Sequence, residues 1–314
     1  MSWHSSFKAI MTSLLEGSLF AIAITALIAF GLPVLLHFIF YRAVASPPRS
    51  NFLLLGPPGA GKTALLSLLE AKISPRSKTS QVTHTSQTST LATISLPPSV
   101  PIASNQFRSV NDPSLKDISR NPVKYAIQDT PGHGKLRWAQ GISQLQSMSQ
   151  TKDPKSKVRG VIFMVDAASL SGDDALRDAA TYLHDVLLIL QKRALSRGRS
   201  ASTAAAEIPV LVAANKQDLF TALPPNSVRE KLAAEIDRIR RSKSKGLMDA
   251  SADAGTGDAE DDILGNDDAP FSFKMLEDEV GVKVDVVGGA IKDGEGENLG
   301  SGVRKWEEWI GMCL

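Results

Sequence analysis

Residues 52–63 read Phe52-Leu53-Leu54-Leu55-Gly56-Pro57-Pro58-Gly59-Ala60-Gly61-Lys62-Thr63, an apolar run that stops on a glycine-rich loop ending in Lys-Thr. In this order the residues specify a strand, a phosphate-binding loop and the first turn of a helix. Gly56, Gly59 and Gly61 let backbone N–H groups, that of Ala60 included, close around phosphate oxygens. Lys62 can reach the β and γ oxygens, and the Thr63 hydroxyl is a magnesium ligand. The helix expected from Lys62 to about Lys72 turns its positive end toward the same anion. A nucleoside triphosphate with Mg2+ is the ligand this stretch implies.

The base is read further along. Asn215-Lys216-Gln217-Asp218 follows the strand-like run Ile208-Pro209-Val210-Leu211-Val212-Ala213-Ala214. The Asp218 carboxylate can accept both N–H donors on the edge of guanine, an arrangement adenine does not offer, while the Asn215 amide can reach N7 and neighbouring backbone. Guanine, and so GTP, is the expected nucleotide. Between these motifs lies Lys124-Tyr125-Ala126-Ile127-Gln128-Asp129-Thr130-Pro131-Gly132-His133, a strand ending in Asp-x-x-Gly. Alone it would be a β-turn, since Asp, Pro and Gly all favour turns.

The three motifs in this order resemble the small GTPase superfamily, over roughly residues 51–314. The resemblance implies that Asp129 holds a magnesium-bound water and that the Gly132 N–H contacts the γ-phosphate. It makes Gly134-Lys135-Leu136-Arg137 a movable switch. The position after the glycine, which aligns the attacking water in this superfamily, is His133 in place of a glutamine. Histidine can orient water or accept a proton, and an exposed histidine can equally serve as a partner contact. A second magnesium ligand is expected in the Ser/Thr-rich stretch before the second strand: Thr88, with Thr85 and Thr90 as other registers. The loop that lies against the guanine in this superfamily falls at Val287-Gly288-Gly289-Ala290, degenerate in sequence but able to offer backbone N–H groups, that of Ala290 in particular.

Residues 17–41 carry no formal charge and are rich in Ala, Ile, Leu and Phe. At 1.5 Å per residue such a helix spans on the order of 37 Å, enough to cross a bilayer with tilt. A cleavable signal peptide, suggested by Ala43-Val44-Ala45, has an apolar core of only about 7–15 residues. Arg42 and Arg49 after the span favour a cytosolic C-terminal side. The single cysteine, Cys313, can form no intramolecular disulfide and suits a reducing compartment.

The organisation expected is a short lumenal N-terminus (1–16), a transmembrane helix (17–41), a linker (42–50) and a GTPase domain (51–314). That domain carries insertions, read as disordered, at about 97–120, 196–207 and 242–270. The last is Asp-rich among Gly, Ala and Ser and cannot bury enough apolar surface to offset chain entropy. The remainder alternates strands and helices as a doubly wound, mostly parallel sheet: an α/β P-loop GTPase fold preceded by one transmembrane helix. Nearly continuous apolar strands such as Val161-Ile162-Phe163-Met164-Val165 suit a sheet covered on both faces. A net charge of +2 gives no basis for direct sequence-specific nucleic-acid binding. The basic run Arg229 to Lys245 reads as a solvated helix face, and the five histidines lack metal-ligand spacing.

Neither end carries a lipidation signal, since residue 2 is serine and Gly311-Met312-Cys313-Leu314 is not a prenylation box. With the anchor, the run Asp129 to Arg137, the tract Gln87-Thr88-Ser89 and the terminal Trp306-Glu307-Glu308-Trp309-Ile310, the chain is similar to the family of signal recognition particle receptor β subunits. That similarity implies the endoplasmic reticulum membrane, the receptor α subunit bound through the switch face when GTP is present, slow or partner-dependent hydrolysis, and the translocon or ribosome as further partners. A traffic GTPase of the Arf or Sar type is the alternative. It cycles on and off membranes, which an anchor of this length does not permit. A translational GTPase, suggested by Asp-Thr-Pro-Gly-His, would need further domains.

Overall fold

The computed structural model describes residues 27–35, 50–73, 86–103, 122–151, 156–196, 208–254, 263–265, 269–292 and 301–314. Contacts divide the chain into Met1–Pro48 and Arg49–Leu314. In the first unit, residues 27–35 are helical, with Leu27 and Phe30 exposed; the rest of the expected 17–41 span lies outside the described residues. Among the described residues no helix is long and apolar enough to cross a membrane.

The second unit is built on a six-stranded sheet. Its strands are β1 (Ser50–Leu55), β2 (Thr90–Ser95), β3 (Lys124–Asp129), β4 (Val158–Asp166), β5 (Val210–Asn215) and β6 (Val284–Gly288), in the order β2-β3-β1-β4-β5-β6. Only edge strand β2 runs antiparallel to its neighbour. The apolar runs become strands because both faces are covered, so every residue, odd or even, finds a core. Leu53, Leu55, Val161, Phe163, Val165, Val210 and Val212 point to one side, and Phe52, Leu54, Ile162, Met164, Leu211 and Ala213 to the other.

Helix α1 (Lys62–Ile73) and helix α6 (Arg304–Cys313) cover the second side. Helix α2 (Ser143–Gln150), α3 (Asp173–Ser196), α4 (Pro225–Ala254) and α5 (Phe273–Val280) cover the first. The C-terminal helix is fixed by polar bonds as well as packing. Trp306 Nε1 donates to the Val287 carbonyl at 3.0 Å, Trp309 Nε1 to Asp285 at 3.0 Å, and buried Glu307 accepts from Lys72 of α1 at 2.9 Å.

Four features depart from the sequence expectation. Helix α4 runs on to Ala254, so residues 242–254 of the acidic tract are helical, and Leu264 within the same tract is fully buried in the core. Residues 134–137, expected as a switch, open a helical segment that runs to residue 150: a short α-turn at Gly134–Leu136, a π-helical turn at Arg137–Ile142, then α2. Helix α5 is capped at both ends: Ser272 accepts from the Met275 N–H, and Gly281 ends the helix at φ 81°. Of the expected insertion at about 97–120, residues 97–103 are described and Val100 and Ile102 are buried.

Candidate functional site

The carboxyl ends of β1, β3, β4, β5 and β6 meet on one edge of the sheet, where doubly wound folds bind ligands. The loop after β1 turns on Gly56 (φ 139°), Gly59 (φ 75°) and Gly61 (φ 98°), all in the region that side chains disfavour. Space demands glycine too. A Cβ on Gly56 would run into the Met164 carbonyl, and one on Gly61 into the Asn215 amide.

Lys62 is buried and its Nζ donates to the Gly56 and Pro57 carbonyls at 2.8 and 2.9 Å. Burial depresses its pKa to about 8, against the raising effect of Asp129, with Arg137 adding to the depression. The ammonium is thus held under the loop where an anion would relieve its desolvation. Gly132 lies against this loop: a Cβ there would come 2.6 Å from Lys62 Nζ and 2.7 Å from the Gly56 carbonyl oxygen.

Asp129, at the end of β3, is fully buried. Its Oδ2 accepts from Thr63 Oγ1 at 2.7 Å and from Ser86 Oγ at 3.2 Å, and the two hydroxyls are 2.7 Å apart. Burial raises its pKa, while the hydrogen bonds from Thr63 and Ser86 and the charge of Lys62 oppose the shift. Asp129 Oδ1 is buried with no hydrogen-bond partner among the described residues. An orphaned carboxylate oxygen beside two hydroxyls is a hard-oxygen donor set that fits Mg2+. The expected Thr88 is exposed, and the hydroxyl that reaches Thr63 and Asp129 belongs to Ser86, two residues earlier. Thr90 is exposed on β2, and Thr85 lies outside the described residues.

On the other side of the glycine loop, Asn215 is buried; its Nδ2 donates to the Ala60 carbonyl at 2.8 Å and its Oδ1 accepts from the Ile291 N–H at 3.3 Å. One side chain thus joins the phosphate loop to the loop after β6. That loop is held further by the Gln217 N–H on the Gly289 carbonyl at 3.1 Å and the Gly289 N–H on the Ala214 carbonyl at 3.0 Å. Ala290 is buried beside it. Lys216 adopts φ 66°, alone in this region among the described non-glycine residues, and its Nζ donates to Asp166 at 2.6 Å. Asp218 is exposed, as is His133 at the N-terminus of the Gly134–Leu136 turn.

The structure therefore brings Gly56, Gly59, Ala60, Gly61, Lys62, Thr63, Asp129, Gly132, Asn215 and Ala290 to one sheet edge, linked by the bonds just given. Sequence reading missed Ser86 and Gln140. Gln140 Nε2 donates to the Gln87 carbonyl at 3.1 Å, and its Oε1 accepts from the Ser89 N–H at 2.8 Å and the Ser89 hydroxyl at 3.1 Å.

Residues 48–280 match the family model described as signal recognition particle receptor beta subunit. The Saccharomyces cerevisiae signal recognition particle receptor subunit beta is 26% identical over 263 residues, 83% of each chain. Among solved structures, the Chaetomium thermophilum SRb-GTP/SRX complex of the signal recognition particle receptor is 34% identical, with a TM-score of 0.59 over 83% of this chain and 98% of that one. The SRb-GDP-Mg structure from the same organism is also 34% identical, with a TM-score of 0.54 over 84% of this chain and 96% of that one.

Proposed function

The chain belongs to the signal recognition particle receptor beta subunit family, and on that footing we propose that it is the GTP-binding, membrane-anchored subunit that tethers the receptor α subunit at the endoplasmic reticulum for co-translational targeting. The observation that carries the reading is the joining of three sequence-distant motifs at one sheet edge by the Asn215–Ala60 and Thr63–Asp129 hydrogen bonds. The names of relatives support the ligand and the partner, since they describe SRb with GTP, with GDP and magnesium, and with SRX.

In this reading the N–H groups of Gly59 to Thr63 hold the phosphates, and Lys62 leaves the Gly56 and Pro57 carbonyls to meet the β and γ oxygens. Thr63 and Ser86 supply hydroxyls to Mg2+, with Asp129 holding a coordinated water. The ion when bound neutralises phosphate charge. Asn215 keeps the base loop in place, Lys216 lies along the base, Asp218 accepts from the guanine edge and Ala290 offers its N–H. The Gly132 N–H senses the third phosphate, because no side chain separates it from the glycine loop.

The segment that follows carries the message outward. Exposed Trp138 on the π-helical turn and exposed Leu91 on β2 give this side apolar surface for the α subunit. His133, exposed next to Gly132, orients the attacking water or touches the partner. Residues 17–41 form the anchor, with the GTPase domain in the cytosol.

The test is capture from detergent-solubilised microsomal membranes by the full chain loaded with GTP or with GDP. Retention of the receptor α subunit with GTP and not with GDP is expected. Capture of coat proteins or exchange factors in its place would overturn the receptor reading.

A further inference from the structure

The whole amide of Gln140 is spent on the segment ahead of β2. Its three bonds, to the Gln87 carbonyl and to the N–H and hydroxyl of Ser89, cross between chain segments 51–53 residues apart. On its other side the same turn is fastened to α3. Arg137 pairs with Asp178 at 2.7 Å and lays its guanidinium 4.9 Å over the Tyr182 ring. Residues 87–89 are thus held by a turn that is itself held by α3, and Ser86, the next residue back, is the one joined to Thr63 and Asp129.

We propose that Gln140 is a positioning residue, a latch that makes the Thr63–Ser86–Asp129 oxygen cluster assemble and disperse together with the turn after Gly132. The proposal rests on the guanine-nucleotide reading above. The π-helical register of Arg137–Ile142 supports it, because such turns insert an extra residue and concentrate at functional sites. The chemistry of the side chain supports it as well. A glutamine offers an N–H donor and a two-lone-pair acceptor on one rigid amide, and here both ends are used. Alanine removes all three bonds; glutamate keeps the acceptor for Ser89 and loses the donor to Gln87.

The experiment compares full-length wild type, Gln140→Ala and Gln140→Glu by hydrogen–deuterium exchange without nucleotide, and by release of a fluorescent GDP analogue across a Mg2+ titration. Gln140→Ala should exchange about tenfold faster over residues 86–91, the effect of losing two or three partly exposed hydrogen bonds. The Mg2+ concentration for half-maximal retention of the analogue should rise several-fold, with Gln140→Glu between the two and exchange in β1 and β5 unchanged. Equal exchange over 86–91 in wild type and Gln140→Ala would overturn the latch. Faster exchange with an unmoved Mg2+ dependence would overturn the positioning role, since the tether would then be local. A wild type that fails to retain the analogue at any Mg2+ concentration would overturn the functional reading and the positioning role with it.

Discussion

Replacing Asn215 by alanine removes a side chain whose hydrogen bonds bridge the phosphate loop and the loop after β6. The first lost bond, Nδ2 to the Ala60 carbonyl at 2.8 Å, is buried, and the carbonyl left behind belongs to a fully buried residue. An acceptor stranded in this way costs about 1–3 kcal/mol. The second bond, from the Ile291 N–H at 3.3 Å, is longer and lies beside a partly exposed residue, so it adds about 0.5–1 kcal/mol. Together the loss is about 1.5–4 kcal/mol, or roughly 3–16 °C in Tm for a domain of this size. Asn215→Asp is the sharper variant. It keeps an acceptor for Ile291 but sets a carboxylate oxygen against the Ala60 carbonyl, so it should be no more stable than the alanine. The assay is thermal unfolding of both variants without nucleotide, followed by GDP binding. A Tm within 1 °C of wild type for Asn215→Ala would refute the reasoning, because the bridge would then contribute nothing before the ligand arrives.

Asp218→Asn loses the carboxylate acceptor for the guanine edge; competition binding should show preference moving from guanine toward xanthine nucleotides by about a hundredfold or more. Burial pushes the Cys313 thiol up to about 12 from an ordinary 9.0, with Arg159 opposing, so at about pH 8 its thiolate fraction is about a thousandfold below that of a free thiol. Iodoacetamide should label this single cysteine correspondingly slowly, as read by intact-mass spectrometry. Burial works against ionisation of Asp185, but the hydrogen bond from His184 and the charge of Lys243 outweigh it and hold the carboxyl below the ordinary 3.8. A group lowered on folding contributes stability above its unfolded pKa and loses it as pH falls through the folded one. Asp185→Asn should therefore flatten the decline of Tm between about pH 5 and pH 2 while lowering Tm near neutrality.

The strands are legible because each is an apolar run long enough to be buried on both faces, and Phe52–Leu55, Val161–Val165 and Val210–Ala214 all fall inside β1, β4 and β5. The glycine loop was legible for a stricter reason: positions 56, 59 and 61 adopt backbone angles that a side chain disfavours, so their spacing leaves little choice. The helical run at 134–150 was not legible. Gly134 and Gly141 interrupt it, its second half is Gln- and Ser-rich, and a π-helical turn breaks the 3.6-residue period by which helices are recognised. The caps of α5, Ser272 and Gly281, stood in the sequence but follow an acidic tract whose composition masked them. Helix α4 continued into that tract because Asp and Ala within it tolerate helix when a buried first half has already nucleated it.

The tract before β2 shows what pattern alone cannot supply. The tract holds several hydroxyls that could serve, and register along an irregular segment is set by what pins it. Here the Gln140 amide takes up Gln87 and Ser89, the two neighbours that follow the Ser86 bonded to Asp129. The pin lies 51 residues beyond Ser89, on a turn whose helical register is itself irregular. A hydroxyl placed by long-range contacts has no local signature, which is why the sequence leaves the register of this tract open and why Ser86, held beside Thr63 and Asp129, carries no mark of it in the residues around it.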